Sequence, residues 1–467
     1  MVASKPVHIH RNAVLRGCLA LAGAACAAHA GAQAPAAIEL SFDQASERLQ
    51  QVSDALRAAE ANLAGKHELA EATRHLRLPE VTGELRRLEL QKTLELPLGS
   101  LAPVAEEYGI GSPLVFSERA WHTRPIVTAT LPIYTGGMIP AAQQAADAAR
   151  RQADAERDLQ SQSLLVPLVR MYFGQQLAQE VLEVRQDTRE GLDRHLRDAT
   201  RLEDAGFISR AQRLQAGVAR DRGERELERA RNDLASIQAG LATLLRAGAD
   251  VRSTTGLFVS RAPAGSLDEF VQAALHGHPQ IARLRAMVEQ ARQGIRVQQA
   301  KLKPQIYAFG QYDFKRGDAL LTEPDWVFGI GLKYTFLSGN GRLHQVAAAR
   351  EQHEQAESAL REAENQLTIA VTQSWHEVET TRHQFRLLDS AIEQAQENLR
   401  LQELSFREGQ ATSLDVIDAR LALAGARVER LQAAYQYDLA LALLLERSGQ
   451  ASRYLDYLHK ADEVHLP

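Results

Sequence analysis

Two different spacings of apolar side chains alternate along the chain and predict two kinds of secondary structure. Residues 342–408 contain no glycine or proline, and leucines and alanines recur at helical spacing between residues 420 and 445. A stripe of this kind is typical of a coiled-coil core. At ~1.5 Å per residue, about 67 helical residues form a rod on the order of 100 Å long. Globular domains seldom contain such a helix, whereas coiled coils and tunnels do.

A two-residue period marks the sharpest predicted strand, which runs from Trp326 to Phe336. Small or polar residues such as Gly329, Gly331 and Lys333 lie between its apolar positions. Alternation over about ten residues, with aromatic side chains at both ends, is typical of a strand in a transmembrane barrel. The predicted lipid-facing side of this strand comprises Trp326, Phe328, Ile330, Leu332, Tyr334 and Phe336.

Three further runs share the two-residue period, and one of them is irregular. The apolar positions of the two regular runs are Val127, Ala129, Leu131 and Ile133, and Ile306, Ala308, Gly310, Tyr312 and Phe314. The third run, residues 81–91, begins with Val81 but then places Arg87 and Glu89 on the lipid side. A bulge that shifts the register, a strand that ends early and a wrong assignment all remain open. A single run would also fit a soluble sheet, whereas four runs in two matching hairpins favour a membrane protein.

The alternating pattern occurs twice, because the chain contains an internal repeat. The run at Ser41 is echoed at Ser266, an offset of 225 residues, and both runs resemble capping boxes that begin a helix. Farther along the chain, Gly206 is echoed by Gly409 at an offset of 203 residues. The first half therefore carries 22 extra residues, which we assign to a predicted loop at residues 93–122. Each half reads helix, strand, loop, strand, very long helix, tight turn and long helix.

These patterns divide the chain into a signal peptide (1–30), a first repeat (31–265), a second repeat (266–451) and a C-terminal tail (452–467). The first repeat has predicted strands at about 81–91 and 125–134 and long helices at about 141–205 and 209–247. The second has predicted strands at about 305–314 and 326–336 and long helices at about 342–408 and 412–447. Pro167 should kink or break its helix, and Gly206 and Gly409 should reverse the chain.

The N-terminal residues have the pattern of a secretory signal peptide. A basic region precedes a small, apolar stretch that ends at an A-x-A cleavage sequence, residues 28–30. Cys18 and Cys26 are the two cysteines of the chain, and both lie inside this segment. Cleavage would therefore leave a mature protein without thiol chemistry. The residues before either cysteine match a lipidation signal poorly, because Arg16 precedes Cys18 closely and no leucine lies three residues before Cys26.

Composition and charge narrow the classes of partner. The formal net charge is −5 and the basic residues are spread along the helices, which argues against a nucleic-acid partner. After residue 35 no uncharged apolar stretch approaches the length of a membrane-spanning helix. Membrane insertion would therefore require strands closed into a barrel. Four strands cannot close one, so the chain would have to oligomerise, and three copies would leave an open lumen.

No constellation of residues predicts catalysis, a metal site or a cofactor. His276 and His278 lie two residues apart without a third ligand, which favours an exposed pair over a zinc site. His376 precedes Glu377, but no second histidine follows four residues after the first, so the zinc-protease pattern is incomplete. No glycine-rich phosphate loop or nucleophile elbow is present. The sequence therefore argues against an enzyme.

Taken together, these features resemble the outer membrane factor (TolC-like) family over nearly all of the mature chain. The resemblance rests on the duplicated halves, on the strand that ends in LPIYTGG at residues 131–137, and on GQATSLDVIDA at residues 409–419. It implies a mainly α fold with a membrane β-barrel, in which a homotrimer forms twelve strands continuous with a periplasmic helical tunnel. It also implies a passive outer-membrane conduit in a Gram-negative bacterium, contacting outer-membrane lipid.

The resemblance further implies the partners and the sites of such a channel. A periplasmic membrane-fusion adaptor and an inner-membrane RND or ABC transporter would pass on small molecules or, in type I secretion, polypeptides. Asp415 and Asp418 match the family's acidic rings at the periplasmic entrance, although Asp415 also fits a capping box with Thr412. The predicted adaptor-docking tips comprise Gly206, Phe207, Ser209, Arg210, Gly409, Gln410, Thr412 and Ser413.

One part of the gate departs from the family's pattern. Gln212 stands where family members often have an acidic residue. Arg210 or Arg213 would then be candidates to pair with Asp415 or Asp418 across a subunit interface. A different class of function also remains open at this point: a periplasmic coiled-coil scaffold or adaptor without a pore would explain the helices and the signal peptide, but not the alternating strands.

Overall fold

The computed structural model describes residues 37–314 and 324–463, so the predicted signal peptide and its two cysteines lie outside the described residues. The first repeat contains β1 (Ile38–Leu40), α1 (Phe42–Val52), α2 (Asp54–Arg74), β2 (Glu80–Leu96), α3 (Ala102–Glu107), β3 (Leu114–Tyr134), α4 (Met138–Gln162), α5 (Leu165–Asp204), α6 (Arg210–Leu244), β4 (Val251–Ser253) and β5 (Phe258–Val259). The second contains α7 (Leu267–Gly277), α8 (Pro279–Ala300), β6 (Gln305–Asp313), β7 (Trp326–Lys333), α9 (Arg342–Arg407), α10 (Ser413–Arg447), α11 (Tyr454–Leu458) and β8 (Asp462–Glu463).

Four strands form one antiparallel sheet in the order β2-β3-β6-β7. The hairpin of the first repeat thereby joins the hairpin of the second through β3 and β6. The register shifts once, between Pro132 and Tyr134, so Ile133 lies at an irregularity and not in the regular alternation. Within the described chain, β2 and β7 each have one sheet neighbour, and the sheet is open at both edges.

The first hairpin is longer than the sequence pattern predicted. Its ladder runs without a register shift from Glu80 opposite Thr130 to Leu96 opposite Leu114. The predicted loop at residues 93–122 is therefore too long, because residues 93–96 and 114–122 are strand and only residues 97–113 connect the two strands. Arg87 and Glu89 do share a face with Val81, and neither a bulge nor an early strand end moves them away from it.

The long helices pack in pairs, and their interruptions have local causes. α9 runs for 66 residues without a break. The break predicted at Pro167 lies earlier, at residues 163–164, and Pro167 is the third residue of α5. A proline is tolerated in the first turn because the backbone N–H groups there lack intrahelical partners in any case. Ser41 and Ser266 cap α1 and α7, as the repeated motif predicted.

The principal hydrophobic core lies where the two repeats meet. Phe42 packs against Tyr172 and Phe173 with ring centroids 5.3 and 5.2 Å apart, and Phe258 and Tyr454 complete this aromatic cluster. Two small sheets bring the ends of the repeats to the same place, β1 beside β4 and β5 beside β8. A second, smaller core lies near the α5–α6 and α9–α10 turns. No helix of the described residues is long and apolar enough to cross a membrane.

Candidate functional site

The turn between α9 and α10, here called the second tip, is shaped by backbone conformation. Gly409 adopts φ +75°, in the left-handed region that glycine occupies without strain. Its amide donates to the carbonyl of Phe406 at 3.1 Å, and the amide of Gln410 donates to that of Ser405 at 2.8 Å. These bonds satisfy carbonyls that the end of α9 leaves free.

The next helix begins with a complete capping box. The amide of Asp415 donates to the Thr412 hydroxyl at 3.3 Å, and the amide of Thr412 donates to the Asp415 carboxylate at 2.8 Å. The Thr412 hydroxyl also donates to that carboxylate, at 2.7 Å. These hydrogen bonds to the charged form lower the pKa of Asp415. Capping is therefore a real role of Asp415, and its carboxylate stays ionised and exposed.

Asp418 lies one turn farther along α10 and is also exposed. Residues three apart on a helix share a face, so the two carboxylates lie on the same side of α10. The residues between them, Val416 and Ile417, are buried. The second tip therefore presents a compact acidic patch, defined by Asp415 and Asp418, on an otherwise packed helix.

The turn between α5 and α6, here called the first tip, repeats the same construction. Gly206 adopts φ +79°, and the amide of Phe207 donates to the carbonyl of Leu202 at 2.8 Å. Ser209 caps α6, and Gln212 completes the capping box by accepting from the Ser209 amide at 3.1 Å. Gln212 therefore has a structural role within its own tip.

The first tip presents apolar surface at its end. The Phe207 side chain is 79% exposed, although aromatic side chains of this size are usually covered. Arg210 is exposed beside it. Arg213 pairs with Glu203 across the same tip, so its guanidinium is already engaged within the chain.

A buried cluster beneath the two tips joins the repeats, and the sequence reasoning did not predict it. His195 of α5 is 5% exposed, and its Nε2 lies 2.8 Å from the hydroxyl of Ser413. The His195 ring also packs against Phe406, with centroids 4.8 Å apart. Ser413 is fully buried. The assignment of Ser413 to the docking surface is therefore wrong for the single chain, because its hydroxyl faces α5.

Arg420 completes this cluster from α10. Its guanidinium pairs with Glu403 of α9 and lies directly against Gly191 of α5. A Cβ atom at Gly191 would lie 1.7 Å from a guanidinium nitrogen, so only glycine leaves room for Arg420 in this position. A glycine in the middle of a long helix was the one signal in the sequence that could have revealed this contact.

Burial and charge both act on the imidazole of His195. Burial lowers its pKa, and the nearby guanidinium of Arg420 lowers it further. The carboxylates of Asp198 and Glu403 act in the opposite direction, as does an interaction with the backbone of Ser413. The balance favours a neutral imidazole, which can share a hydrogen bond with the serine hydroxyl.

The sheet lies far from the tips along the chain and carries the predicted lipid-facing residues. Phe328, Ile330 and Leu332 are 72, 74 and 68% exposed. Their neighbours on β6, Gly310, Ala308 and Ile306, are directly opposite and therefore on the same face. Tyr334 and Phe336 are exposed but follow the end of β7 at Lys333, so the strand is shorter than predicted.

The opposite face of β7 is built around glycine. Gly331 is paired with Tyr307, and Gly329 is paired with Phe309. A Cβ atom at Gly331 would lie 2.6 Å from the Tyr307 ring. The aromatic rings of β6 therefore cover the glycines of β7.

One of the candidate metal residues, His278, has a structural role. His278 is buried, and its Nδ1 accepts from the amide of Gln280 at 3.0 Å, capping α8. The prediction of an exposed histidine pair is therefore wrong for His278. Among residues 37–314 and 324–463, no group of three histidine, cysteine or acidic side chains is placed to hold a metal ion.

Comparison with known proteins shows which protein family the sequence matches. The chain matches the family model for outer membrane efflux proteins over residues 45–246 and 270–450. It is 23% identical over 309 residues to the outer membrane efflux protein BepC of Brucella suis. The matched region covers 65% of this chain and 67% of BepC.

Solved structures share the fold. The MtrE outer membrane channel of Neisseria gonorrhoeae superposes with a TM-score of 0.70 at 18% identity, covering 88% of this chain and 89% of that one. VceC of Vibrio cholerae superposes with a TM-score of 0.69 at 17% identity, covering 87% and 96%. The CmeC outer membrane channel of Campylobacter jejuni superposes with a TM-score of 0.72 at 12% identity, covering 90% of this chain and 89% of that one.

Proposed function

The chain belongs to the outer membrane efflux protein family, and on this premise we propose that three copies assemble into one conduit across the outer membrane and the periplasm. Each copy contributes its four-stranded sheet to a shared barrel and its long helices to a tunnel. The single observation that carries this proposal is the open sheet, whose outer face exposes Phe328, Ile330 and Leu332. In water such a face is costly, whereas in lipid it is favourable.

The geometry of barrels supports three copies. One sheet has four strands and two unpaired edges, whereas membrane barrels have at least eight strands. Two copies would supply eight strands, a size that side chains fill, and three would supply twelve. An open lumen therefore favours three copies. Closure would pair β2 of one copy with β7 of the next.

The acidic patch at the second tip is proposed to line the periplasmic entrance. Three copies would bring the carboxylates of Asp415 and Asp418 together as six acidic groups around one axis. Rings of carboxylates attract cations and repel anions at close range. The exposure of both side chains, and the capping bonds that hold Asp415 ionised, support this role.

The two tips are proposed to dock a periplasmic membrane-fusion adaptor. The exposed Phe207 and Arg210 supply the apolar anchor and the positive charge that protein interfaces favour. Gly206, Ser209, Gly409, Gln410 and Thr412 set the shape of the two turns. An RND or ABC transporter in the inner membrane would supply the energy and select small molecules or polypeptides.

The family and the fold are those of channel proteins. We propose further that the chain is a passive conduit that catalyses no reaction. The competing function, a periplasmic scaffold or adaptor without a pore, would leave the exposed apolar face of β6 and β7 without a covering.

Fractionation and conductance together test this proposal. The mature chain should sediment with the outer membrane in a density gradient, and the purified protein should form ion-conducting pores in a planar bilayer. A chain that stays in the soluble periplasmic fraction and gives no conductance would overturn the conduit and favour the scaffold.

A further inference from the structure

The first hairpin extends well beyond the four-stranded sheet. β3 pairs with β6 only as far as Ile126, whereas its pairing with β2 continues to Leu114. Residues 85–96 and 114–125 therefore form a two-stranded ribbon that pairs with no third strand among residues 37–314 and 324–463, here called the ribbon. At ~3.3 Å per residue it projects roughly 40 Å. The 22 extra residues of the first repeat fall within this hairpin.

The distribution of apolar and polar side chains between the two faces is reversed in the ribbon relative to the sheet below it. In the sheet, the outer face, which carries Val81 and Phe328, is apolar, and the inner face carries Thr128 and Glu84. In the ribbon, the continuation of the outer face begins with Leu85 and Pro125. It is then mostly polar and comprises Arg87, Glu89, Gln91, Thr93, Glu95, Val115, Ser117, Arg119, Trp121 and Thr123. The continuation of the inner face begins with Arg86 and Arg124. It is then mostly apolar and comprises Leu88, Leu90, Lys92, Leu94, Leu96, Leu114, Phe116, Glu118, Ala120 and His122.

The polar side chains on the outer face of the ribbon interact with one another, as is suitable for a surface in water. Arg119 makes two hydrogen bonds to Glu89, at 2.9 and 3.1 Å, between side chains on neighbouring strands. The Arg87 guanidinium lies 5.9 Å from the centre of the Trp121 ring on the same face. On the inner face, Lys92 and Glu118 are placed directly opposite across the ladder, and at the base of the ribbon Arg86 pairs with Glu84 at 2.7 Å. The outer face therefore needs no partner.

The apolar face does need a partner. Leu94, Leu96 and Phe116 are 39, 45 and 56% exposed in the single chain. An isolated two-stranded ribbon is marginally stable in water unless a third element covers one face. The proposed closed barrel restricts what that element can be, because the inner faces of all copies point towards one axis. The surface nearest to each inner face is the inner face of another copy.

We propose that the inner faces of three ribbons pack against one another and form an apolar collar that narrows the external mouth of the channel. This inference rests on the proposed trimer. The collar excludes water from its centre, so it restricts ions more strongly than its diameter alone would. The polarity reversal along the hairpin follows directly: lipid surrounds the outer face below, and water surrounds it above.

Chemical cross-linking of neighbouring positions tests the collar. Phe116 and Val115 are adjacent and almost equally exposed, at 56 and 58%, but point to opposite faces. In a background with Cys18→Ser and Cys26→Ser, Phe116→Cys should be joined between chains by a short bismaleimide. Val115→Cys is the matched control and should give less than about one tenth of that product, since β-strand side chains alternate between faces.

The native mass of each variant separates the two proposals. A species of three chains without cross-linked Phe116→Cys overturns the collar and leaves the trimeric conduit standing. Failure to form the trimer overturns both. Preferential labelling of Phe116→Cys by a lipid-soluble maleimide also overturns the collar, because it places the apolar face on the membrane.

Conductance supplies a second, independent measurement. Leu94→Ser with Phe116→Ser should raise single-channel conductance about twofold, because a wetted constriction passes ions more readily. Thr93→Ala with Ser117→Ala on the opposite face should leave it unchanged. Equal conductance of both double variants and the unaltered protein would contradict the collar.

Discussion

The imidazole of His195 and the hydroxyl of Ser413 are joined by a buried contact of 2.8 Å between the first repeat and the second. Ser413 is the first residue of α10, which carries Asp415 and Asp418. The position of the acidic patch therefore depends on a hydrogen bond to α5, in addition to the local cap at Thr412. A single buried polar contact of this kind fixes one helix relative to another, since leaving either group unpaired is costly.

This contact predicts a pH dependence of stability. Burial and Arg420 hold the pKa of His195 below its ordinary value of 6.5, so the folded state disfavours the protonated form. The neutral imidazole of His195 therefore contributes stability that is fully present above about pH 6.5 and is lost as the pH falls through and below that value. Relative to His195→Gln, which does not titrate, the unaltered protein should therefore melt at a higher temperature at about pH 7.5 than at about pH 5.5. Circular dichroism of the helices measures the melting temperatures of both proteins at both pH values. A difference in melting temperature that stays the same at the two pH values would contradict this prediction.

The acidic patch should control ion selectivity. Asp415→Asn with Asp418→Asn removes the charges and keeps an amide oxygen that can still cap α10. Bilayer recordings should show a roughly several-fold fall in cation over anion selectivity. Asp415→Ala with Asp418→Ala should show the same fall and, in addition, a less stable tip, because the bonds to Thr412 are lost.

A matched acid on the solvated surface provides the control. Asp233→Asn removes an exposed carboxylate from α6 and should leave selectivity unchanged. Selectivity that is unaltered by the paired asparagine variants would remove Asp415 and Asp418 from the conduction path.

Asp438 should act on stability with the opposite sign to His195. It is completely buried in α10, and burial raises its pKa well above 3.8, with the Phe258 backbone amide opposing this shift. The folded state then favours the protonated acid, so stability falls as the pH rises above about 3.8. Asp438→Asn should remove that part of the pH dependence and should stabilise the protein most at neutral pH. Thermal melts across pH test this, and a slope that Asp438→Asn leaves unchanged would contradict it.

The glycine face of β7 should be sensitive to a single methyl group. Gly331→Ala would place a Cβ atom 2.6 Å from the Tyr307 ring and should cost about 1–3 kcal/mol through overpacking. Gly83→Ala in β2 meets nothing within 4 Å and serves as the control. The temperature at which the assembly dissociates in detergent should fall only for Gly331→Ala. Equal effects of the two substitutions would rule out close packing as the cause.

The regular parts of the fold could be predicted from the sequence. The resemblance to an outer-membrane channel family is confirmed. It could be recognised in the sequence because the repeat and the strand period depend on local spacing. An uninterrupted helix of 66 residues needs only the absence of breakers between Arg342 and Arg407. Gly206 and Gly409 mark their turns through backbone conformation alone.

The features that were missed depend on contacts between distant segments. Nothing in the spacing around His195 or Ser413 indicates that the two meet, since they are 218 residues apart. The length of the first hairpin was missed because its outer face changes from apolar to charged at Arg87, and the pattern of a lipid-facing strand ends there. The break before α5 was assigned to Pro167, although a proline in the first turn of a helix disturbs little.

The native mass of the mature chain tests the central claim most directly. Light scattering in mild detergent, corrected for bound detergent, counts the chains in the particle extracted from the outer membrane. The conduit proposed here predicts three chains, because three open sheets of four strands close around a lumen. A stable particle of one or two chains would contradict it.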